Sequence, residues 1–375
     1  MTTRRSVLAG LAAAAVAVPV STAFADRAAA ASAGGTARKH RTLVIGHRGT
    51  AGHRPEHTLA SYELAARMGA DFMEPDLVPT KDGVLVCRHE PEIGGTTDVS
   101  KRPEFASRKK TVLLDGVSVT GWFTEDFTLA ELKTLRAVER LPAIRQHNTM
   151  YDGRYQVPTF QEMLDLRVRL SEELGREIGV YPETKHPTYF QKLGLPLERR
   201  LLDQLKRNDL NSEDAPVFVQ SFEVSNLKAL RKLGLKAPVV QLLSASGSPF
   251  DTVAAGTGPS YADLSTAAGL RGVSAYANGI GPDKVQVIPR NADGTLGAPT
   301  ALVHDAHAAG LVVHPYTFRA ENNFLPVDYR VGTLVTDYGR GIDEQVTYLR
   351  AGLDGLFTDQ SDIGVVARAE FESAG

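Results

Sequence analysis

Cysteine, an excess of positive charge and long apolar runs are all lacking or scarce in this sequence, and each shortage argues against a class of protein. The single cysteine, Cys87, cannot form an intrachain disulfide. Its place in the apolar run Val84–Cys87 favours a small buried side chain over a reactive thiol. Asp and Glu (44) outnumber Lys and Arg (42), which gives a formal net charge of −2. Such a chain lacks the basic face that nucleic-acid binding requires, so we expect no nucleic-acid partner.

The first residues have the pattern of an export signal. The twin-arginine pair Arg4-Arg5 precedes the apolar run Leu11–Val20, and Ala23–Ala25 is a small-x-small cleavage site. The run is shorter than the ~20 residues that span a bilayer, so a removed signal fits better than a membrane anchor. We predict a twin-arginine-type signal peptide over residues 1–25 and a disordered lead-in over 26–40. The mature chain is then secreted or extracytoplasmic, without stable membrane insertion.

Short apolar runs alternate with helical patterns over residues 41–370, which we interpret as one α/β domain. Hydrophobic residues make up 42% of the chain, enough for a sizeable core. Repeated strand–helix units are typical of a parallel sheet. We count about eight strands, which favours a closed (β/α)8 TIM barrel. An open doubly wound sheet is the rival, but no Gly-x-Gly-x-x-Gly follows a strand and no Walker loop is present.

The apolar patterns also predict the bounds of individual elements. Near the N-terminus they predict a strand at Thr42–Ile45, a helix at Thr58–Met68, a strand at Phe72–Val78 and a run, Val84–Cys87, that lies beside the first strand. Farther on they predict a loop at Ser244–Ser260, a short strand at Gly272–Ala275 and its continuation at Gly279–Gly281.

Residues 92–156 interrupt the alternation and are predicted to be an insertion after the second strand region. The segment is polar, with a basic run at Lys101–Lys110 and the only tryptophan, Trp122. A short helix is expected at Leu129–Leu135 after the N-cap residue Thr128. We expect this insertion to lie over the mouth of the site described next, not to form a separate domain.

Three carboxylates stand at the ends of two predicted strands. Glu74 and Asp76 are two residues apart and therefore share one face of their strand, while Glu183 ends another. Two acids on one face repel unless a cation lies between them. A set of oxygen ligands suits Ca²⁺ or Mg²⁺, whereas zinc would require more nitrogen or sulfur. For any one of these acids a salt bridge or a surface position would explain the pattern equally well.

Two histidines are candidates for proton transfer. His47 and His89 each follow an apolar run, and imidazole titrates near neutral pH, so the pair suits an acid and a base beside a metal. A single histidine is more often structural, and the argument depends on both. Arg48 and Lys185 would supply the positive charge that binds a phosphate.

The combined motifs resemble the glycerophosphodiester phosphodiesterase family, and within it the exported, periplasmic bacterial type. The segments that carry the resemblance are His47–Gly49, Arg54–Thr58, Glu74–Asp76, Thr80–Gly83, His89, Tyr181–Lys185, Gly279–Asp283, Val313–Thr317 and Gly355–Asp359. They extend it over Leu43 to Asp362, nearly the whole mature chain. The set is specific in combination, although no single segment is.

The resemblance implies a fold, a cofactor and a reaction. It implies a TIM barrel with a divalent metal ion at Glu74, Asp76 and Glu183, Ca²⁺ as the first choice and Mg²⁺ as the alternative, and catalysis by His47 and His89. It implies hydrolysis of a small-molecule glycerophosphodiester to sn-glycerol 3-phosphate and an alcohol. In that family the glycerol 2-hydroxyl is thought to attack internally and to form a cyclic phosphate.

Three further histidine and tyrosine positions bear on the site. His57 stands where many family members have asparagine, and we expect it to support its loop instead of taking part in catalysis. His314 and Tyr316 follow another barrel strand, with Arg319 close behind, and are expected to contact the substrate. Ordinary packing at the barrel rim would account for them equally well.

Other functions remain open on the sequence alone. A phospholipase D-like or C-like phosphodiesterase on the same barrel would need an exposed apolar patch for lipid, and the sequence shows none. A non-catalytic exported binding protein would have lost a histidine or an acid of the set, and none is lost. A metal-dependent amidohydrolase would carry His-x-His on its first strand, where this chain has His47-Arg48. A serine nucleophile is disfavoured by the absence of Gly-x-Ser-x-Gly.

Overall fold

A ring of parallel strands forms the centre of the protein, whose computed structural model describes residues 41–374. The strands are β1 (Leu43–Gly46), β2 (Phe72–Met73), β3 (Asp76–Pro79), β4 (Leu85–Cys87), β5 (Lys110–Leu114), β6 (Val117–Gly121), β7 (Gly179–Val180), β8 (Glu183–Thr184), β9 (Val219–Ser221), β10 (Val239–Leu243), β11 (Gly279–Pro282), β12 (Val312–Val313) and β13 (Gly355–Thr358). β2 and β3 are two halves of one barrel strand, and so are β7 and β8.

The ring closes without an open edge. β1 pairs with β13 on one side and β2 on the other, and the remaining parallel strands follow in chain order to β12. β12 meets β13 through the bridge between Phe318 and Thr358 and the hydrogen bond from the Phe357 N–H to the Pro315 carbonyl, at 3.1 Å. With the split strands joined, β1, β2/β3, β7/β8, β9, β10, β11, β12 and β13 make eight barrel strands, so the predicted (β/α)8 barrel is confirmed.

Both split strands break at a proline beside a carboxylate. The predicted continuous strand Phe72–Val78 is wrong at Glu74 and Pro75, because proline has no N–H for the sheet. Pro182 stands in the same relation to Glu183. The chain stays aligned because the Pro75 carbonyl still accepts from the Glu183 N–H, at 2.9 Å.

β4 does not lie beside β1, contrary to the prediction for Val84–Cys87. It pairs antiparallel with β3. The turn between them passes through Gly83, whose φ of 78° favours glycine, and so short a turn can only return the chain in the opposite direction. His89 therefore reaches the barrel mouth from a hairpin and not from a barrel strand.

Helices cover the outside of the barrel. They are α1 (Leu59–Arg67), α2 (Leu129–Leu132), α3 (Phe160–Leu174), α4 (Pro187–Lys192), α5 (Leu197–Arg207), α6 (Val224–Leu233), α7 (Phe250–Ala255), α8 (Tyr261–Leu264), α9 (Ala267–Val273), α10 (Lys284–Val287), α11 (Leu302–Ala308), α12 (Gly341–Arg350) and α13 (Ser361–Ser373), with short 3-10 helices at Asp98–Lys101, Pro103–Arg108, Thr124–Asp126, Gln146–Tyr151 and Val327–Tyr329.

Capping explains where some helices begin. The Thr58 side chain accepts from the Ser61 N–H at 3.1 Å, so the helix predicted at Thr58–Met68 is confirmed with Thr58 as its N-cap. A capping box between Thr128 and Glu131 starts α2, which ends at Leu132, short of the predicted Leu135.

Two predictions for the segments between β10 and β11 are wrong. Gly272–Ala275 is not a strand, because Gly272 and Val273 end α9. Ser244–Ser260 is not wholly loop, because it contains α7. Both segments are rich in small residues, so their sequences show no clear helical periodicity of apolar side chains.

The insertion, residues 92–156, shares the hydrophobic core of the barrel. Trp122 and Phe105 belong to the same buried cluster as Val86 and Met163, and the indole N–H donates to the Phe105 carbonyl at 2.7 Å. Trp122 therefore packs inside the protein and does not line the cavity described below.

The predicted signal peptide and lead-in, residues 1–40, lie outside the described residues. Between residues 41 and 374, no helix combines the length and the hydropathy needed to cross a bilayer.

Candidate active site

A cavity of about 380 Å³ opens where the barrel strands end. Its lining residues are His47, Arg48, Glu74, His89, Glu183, Lys185, Gln220, Phe222, Leu242, Asp283, Lys284, Arg290, Tyr316, Thr317, Arg319, Asn323, Phe324 and Phe357. Most of them follow or end a barrel strand, which is where barrel enzymes place their reactive groups.

The three predicted carboxylates converge at this cavity: Glu74 and Glu183 line it, and Asp76 is fully buried beside them. Asp76 and Glu183 are partners across neighbouring strands, and one oxygen from each of Glu74, Asp76 and Glu183 lies within 4.8 Å of the others. All three residues are at most 4% exposed. Burial and the charges of Asp76 and Glu183 raise the pKa of Glu74 well above its ordinary value. The cluster therefore needs a cation to be fully ionised.

The donor set fits a hard divalent cation. Asp76 Oδ1 and Glu183 Oε1 are buried and accept no hydrogen bond of good geometry, although the Lys185 ammonium lies 3.5 and 2.7 Å from them. The other oxygens are held in place: Glu74 accepts from the Arg48 N–H at 2.6 Å, and Asp76 Oδ2 lies 2.8 Å from His57 Nε2. Oxygens that are fixed but unsatisfied are what Ca²⁺ and Mg²⁺ sites provide.

His57 supports the carboxylates and not only its own loop. Its ring is fully buried, with Nδ1 2.7 Å from the Tyr62 hydroxyl and Nε2 on Asp76. Burial lowers its pKa despite the opposing effect of Asp76. His57 does not line the cavity, so it is a structural partner of the carboxylate cluster.

His47 is oriented by a carboxylate that the sequence analysis missed. Its Nδ1 lies 2.5 Å from Asp359 Oδ1. Burial lowers the pKa of His47 to about 4, so the ring is neutral at pH 7. Burial opposes ionisation of Asp359, but Arg319, Arg145 and His47 outweigh it and hold its pKa well below the ordinary range. An ionised carboxylate only accepts, so Nδ1 carries the proton and Nε2 keeps a free lone pair.

His89 is oriented in the same way by its neighbour in sequence. Its Nδ1 is hydrogen-bonded to Glu90. Burial, Arg48 and Lys185 lower the pKa of His89 to about 3. Burial opposes ionisation of Glu90, yet His89 and Arg140 lower its pKa to about 2. In each ring Nδ1 faces a carboxylate, so the two neutral rings present the same atom, Nε2, to one cavity.

The two predicted phosphate-binding cations also line the cavity. Arg48 Nη1 donates to Glu56 at 2.9 Å, and Lys185 lies between Glu183 and Asp76. Burial opposes the charge of Lys185, but Asp76 and Glu183 outweigh it and raise its pKa. Both side chains are therefore charged and held beside the carboxylate cluster.

Tyr316 lines the cavity and His314 does not. The Tyr316 hydroxyl donates to the Leu243 carbonyl at 3.1 Å. His314 is 1% exposed, with Nδ1 2.9 Å from the Tyr181 hydroxyl and its ring edge-on to Phe218. Burial lowers its pKa to about 4, so it is a neutral part of the barrel interior. The alternation of side chains along a strand predicts which face a residue occupies, but not whether it lies in the cavity wall or deeper in the barrel interior, as His314 does.

The loops after β11 and β12 add cavity residues that the sequence did not mark as site residues. They are Asp283, Lys284, Arg290, Asn323 and Phe324. Lys284 is paired with the buried Glu344 at 2.7 Å, and Arg319 packs over Phe324 at 4.8 Å. No motif marks Lys284, Arg290, Asn323 or Phe324, because their place depends on loop conformation. Asp283 and Asp359 had a usable signal, since each directly follows a barrel strand, β11 and β13, and ends a family motif.

Comparisons with known proteins agree with this geometry. The model of the glycerophosphoryl diester phosphodiesterase family matches residues 47–363. A glycerophosphodiester phosphodiesterase of Arabidopsis thaliana is 36% identical over 331 residues, covering 85% of this chain and 84% of the relative.

Solved structures share the fold at low sequence identity. A Silicibacter pomeroyi protein provisionally assigned as a glycerophosphoryl diester phosphodiesterase has a TM-score of 0.62 and 19% identity, over 89% of this chain and 95% of its own. A phosphodiesterase of Oleispira antarctica, solved with the product sn-glycerol-3-phosphate, has a TM-score of 0.55 and 19% identity, over 88% and 96%.

Proposed function

Since the chain belongs to the glycerophosphoryl diester phosphodiesterase family and is an enzyme of that type, we propose the residues that carry out its reaction. It hydrolyses glycerophosphodiesters to sn-glycerol 3-phosphate and an alcohol. His47 and His89 are the proton-transfer pair, Arg48, Lys185 and Tyr316 bind the substrate, and three carboxylates hold a divalent cation. The observation that carries this proposal is that both histidines line the same cavity as Glu74 and Glu183, two of the three clustered carboxylates.

The carboxylates that would hold the cation are Glu74, Asp76 and Glu183. A bound divalent cation supplies Lewis-acid neutralisation of charge at a phosphoryl oxygen. Ca²⁺ is our first choice and Mg²⁺ the alternative, because Ca²⁺ accepts irregular sets of carboxylate oxygens more readily than Mg²⁺, which requires near-ideal octahedral geometry.

The chain's own residues account for the proton movements. Arg48 and Lys185 orient the phosphate and offset the charge that develops on it. One imidazole takes the proton of the glycerol 2-hydroxyl at Nε2 as that oxygen attacks phosphorus. The other, first protonated at Nε2 as well as Nδ1, donates its Nε2 proton to the leaving alkoxide and then takes a proton from the water that opens the cyclic phosphate, while the first imidazole returns its proton to the glycerol 2-oxygen. Asp359 and Glu90 stabilise each ring when it is protonated.

A lipid-like leaving group is a second candidate, favoured by one observation. Val331, Leu334 and Val335 are at least 50% exposed in a loop whose Val335 carbonyl accepts from the Asn323 N–H at 2.9 Å, and Asn323 lines the cavity. An apolar edge at the mouth of the site suits an acyl chain. Lysophospholipids are therefore a useful second substrate.

Product analysis tests this function. Purified mature protein with Ca²⁺ should release sn-glycerol 3-phosphate and choline from glycerophosphocholine, and no turnover should occur with the analogue that lacks the glycerol 2-hydroxyl. Lysophosphatidylcholine, assayed in parallel, shows whether an acyl chain is accepted. Release of phosphocholine instead would contradict the proposed bond cleavage, and turnover of the 2-deoxy analogue would contradict the cyclic intermediate.

We also propose that the protein is exported, on the strength of the N-terminal sequence alone. Replacing Arg4-Arg5 by a Lys-Lys pair should keep the full-length precursor inside the cell, because twin-arginine export requires the two arginines. The measurement is the distribution of precursor and mature protein between cell and medium. Unchanged release of the mature form would contradict this route.

A further inference from the structure

The insertion contributes a buried arginine to the group that orients His47. Arg145 Nη2 donates to Asp359 Oδ2 at 2.6 Å, and Asp359 Oδ1 is the oxygen bonded to His47. Its Nε donates to Glu321 at 2.6 Å and its Nη1 to the Ala51 carbonyl at 3.0 Å. The side chain is 3% exposed. Arg145 thus fixes the Asp359 carboxylate from the side opposite the histidine.

A second arginine of the insertion does the same for His89. Arg140 Nη1 lies 2.7 Å from Glu90 Oε1, while Glu90 Oε2 is bonded to His89. Its Nε and Nη2 form a two-point contact with Glu56 at 2.6 and 2.7 Å, and Glu56 also holds Arg48. Both proton-transfer histidines therefore stand in the same arrangement, imidazole–carboxylate–arginine, and both arginines belong to residues 92–156.

We propose that Arg140 and Arg145 are positioning residues, through which the insertion keeps Nδ1 of both catalytic histidines bonded to a carboxylate and leaves Nε2 for proton transfer. The proposal rests on the proposed function of His47 and His89. Neither arginine is needed to close the barrel, because both emerge from loops of the insertion and end on carboxylates at its mouth. The insertion is thus part of the catalytic arrangement and not only a cover.

The physical argument concerns the two acceptor oxygens of each carboxylate. An aspartate that binds a histidine through one oxygen can rotate unless the other oxygen is held. A guanidinium holds it with directed, charge-assisted hydrogen bonds. Loss of such an outer partner lowers the activity of metal-assisted sites by about 10–100-fold. Arg319 also bonds Asp359 Oδ2, at 2.7 Å, but its side chain is 26% exposed and lines the cavity. Removing the buried Arg145 should therefore loosen the Asp359 carboxylate without leaving it unpaired.

The experiment compares arginine variants of the insertion. One variant is Arg140→Met. The other combines Arg145→Met with Glu321→Gln, so that no buried acid is left unpaired. Each should lower kcat by about 10–100-fold and change KM by less than about threefold. Arg136→Met is the matched control, because Arg136 lies in the same segment and its guanidinium donates only to backbone carbonyls. Its kcat should equal that of the wild type.

A double-variant comparison separates positioning from a general structural role. Asp359→Asn should itself lower kcat, and adding Arg145→Met/Glu321→Gln to it should lower kcat no further, because the arginine acts through Asp359. Additive losses, or a wild-type kcat in both arginine variants, would overturn the proposal.

The tautomer of His47 can be measured by NMR without any turnover, so the positioning role can be tested independently of the proposed function. In wild-type protein the ¹⁵N shifts of the His47 ring should report a protonated Nδ1, and Arg145→Met/Glu321→Gln should give a tautomer mixture. An inactive wild type with these shifts would refute the proposed function alone. Unchanged shifts in the variant would overturn the positioning role, whatever the activity.

Discussion

Replacing His47 or His89 by alanine should lower kcat for glycerophosphocholine by roughly 10²–10⁴-fold each, because each side chain carries one proton transfer of the reaction. The protein should still fold. His47 sits above a ring of packed strands and its partner Asp359 keeps Arg145 and Arg319, at 2.6 and 2.7 Å, when the imidazole is gone. The measurements are steady-state kinetics and thermal unfolding of both variants.

His304→Ala is the matched control for losing a histidine. Its side chain is 84% exposed and lies outside the cavity, so both kcat and the unfolding temperature should stay at wild-type values. A His47→Ala or His89→Ala protein that is folded and within tenfold of wild-type kcat would refute the assignment of that residue.

The same two variants can assign the acid and the base. A substrate with an acidic phenol as leaving group needs no proton at the departing oxygen. The variant that lacks the general acid should therefore regain most of its rate on that substrate, while the variant that lacks the general base should stay slow. Equal rescue of both variants would mean that neither histidine protonates the leaving group.

The carboxylate cluster could be predicted from sequence because it depends on two simple regularities. Side chains two apart share a strand face, and the ends of parallel strands meet at one edge of the barrel. Glu74, Asp76 and Glu183 satisfy both rules, and the structure brings them within 4.8 Å. The proline breaks at Pro75 and Pro182 were not predicted, yet they leave the register unchanged.

The groups that orient the histidines could not be predicted in the same way. His47 and Asp359 are 312 positions apart, and Arg145 reaches Asp359 from an irregular segment of the insertion. No periodic pattern links these positions, since loop conformation decides where a long side chain ends. His314 is the opposite case, a residue that the sequence pattern placed at the site although it does not line the cavity. It follows a barrel strand as the cavity residues do, but its place beneath the cavity depends on packing against Tyr181 and Phe218.

Removing the divalent cation should abolish turnover and also destabilise the protein, with a defined pH dependence. Burial raises the pKa of Glu183 to about 8, an effect that Lys185 opposes and Asp76 reinforces. Without metal, the folded state therefore keeps a proton that the unfolded state has released above its ordinary pKa of 4.5. Between about pH 4.5 and 8 the unfolded state binds fewer protons than the folded state, so the free energy of unfolding of the metal-free protein should fall as the pH rises through that window.

Adding Ca²⁺ should reverse that loss, because the cation stabilises the ionised carboxylates. At a concentration 100 times its Kd the gain is about 2.7 kcal/mol, measurable as a shift in the denaturant midpoint at pH 8. Glu183→Gln should be inactive, should gain no stability from Ca²⁺ and, without metal, should be at least as stable as wild type at pH 8, because a buried repulsive charge is gone. Asp343→Asn, at a side chain 53% exposed, is the matched control and should behave as wild type. Wild-type turnover that survives exhaustive chelation, or a Ca²⁺ shift that persists in Glu183→Gln, would show that these carboxylates do not hold the catalytic metal.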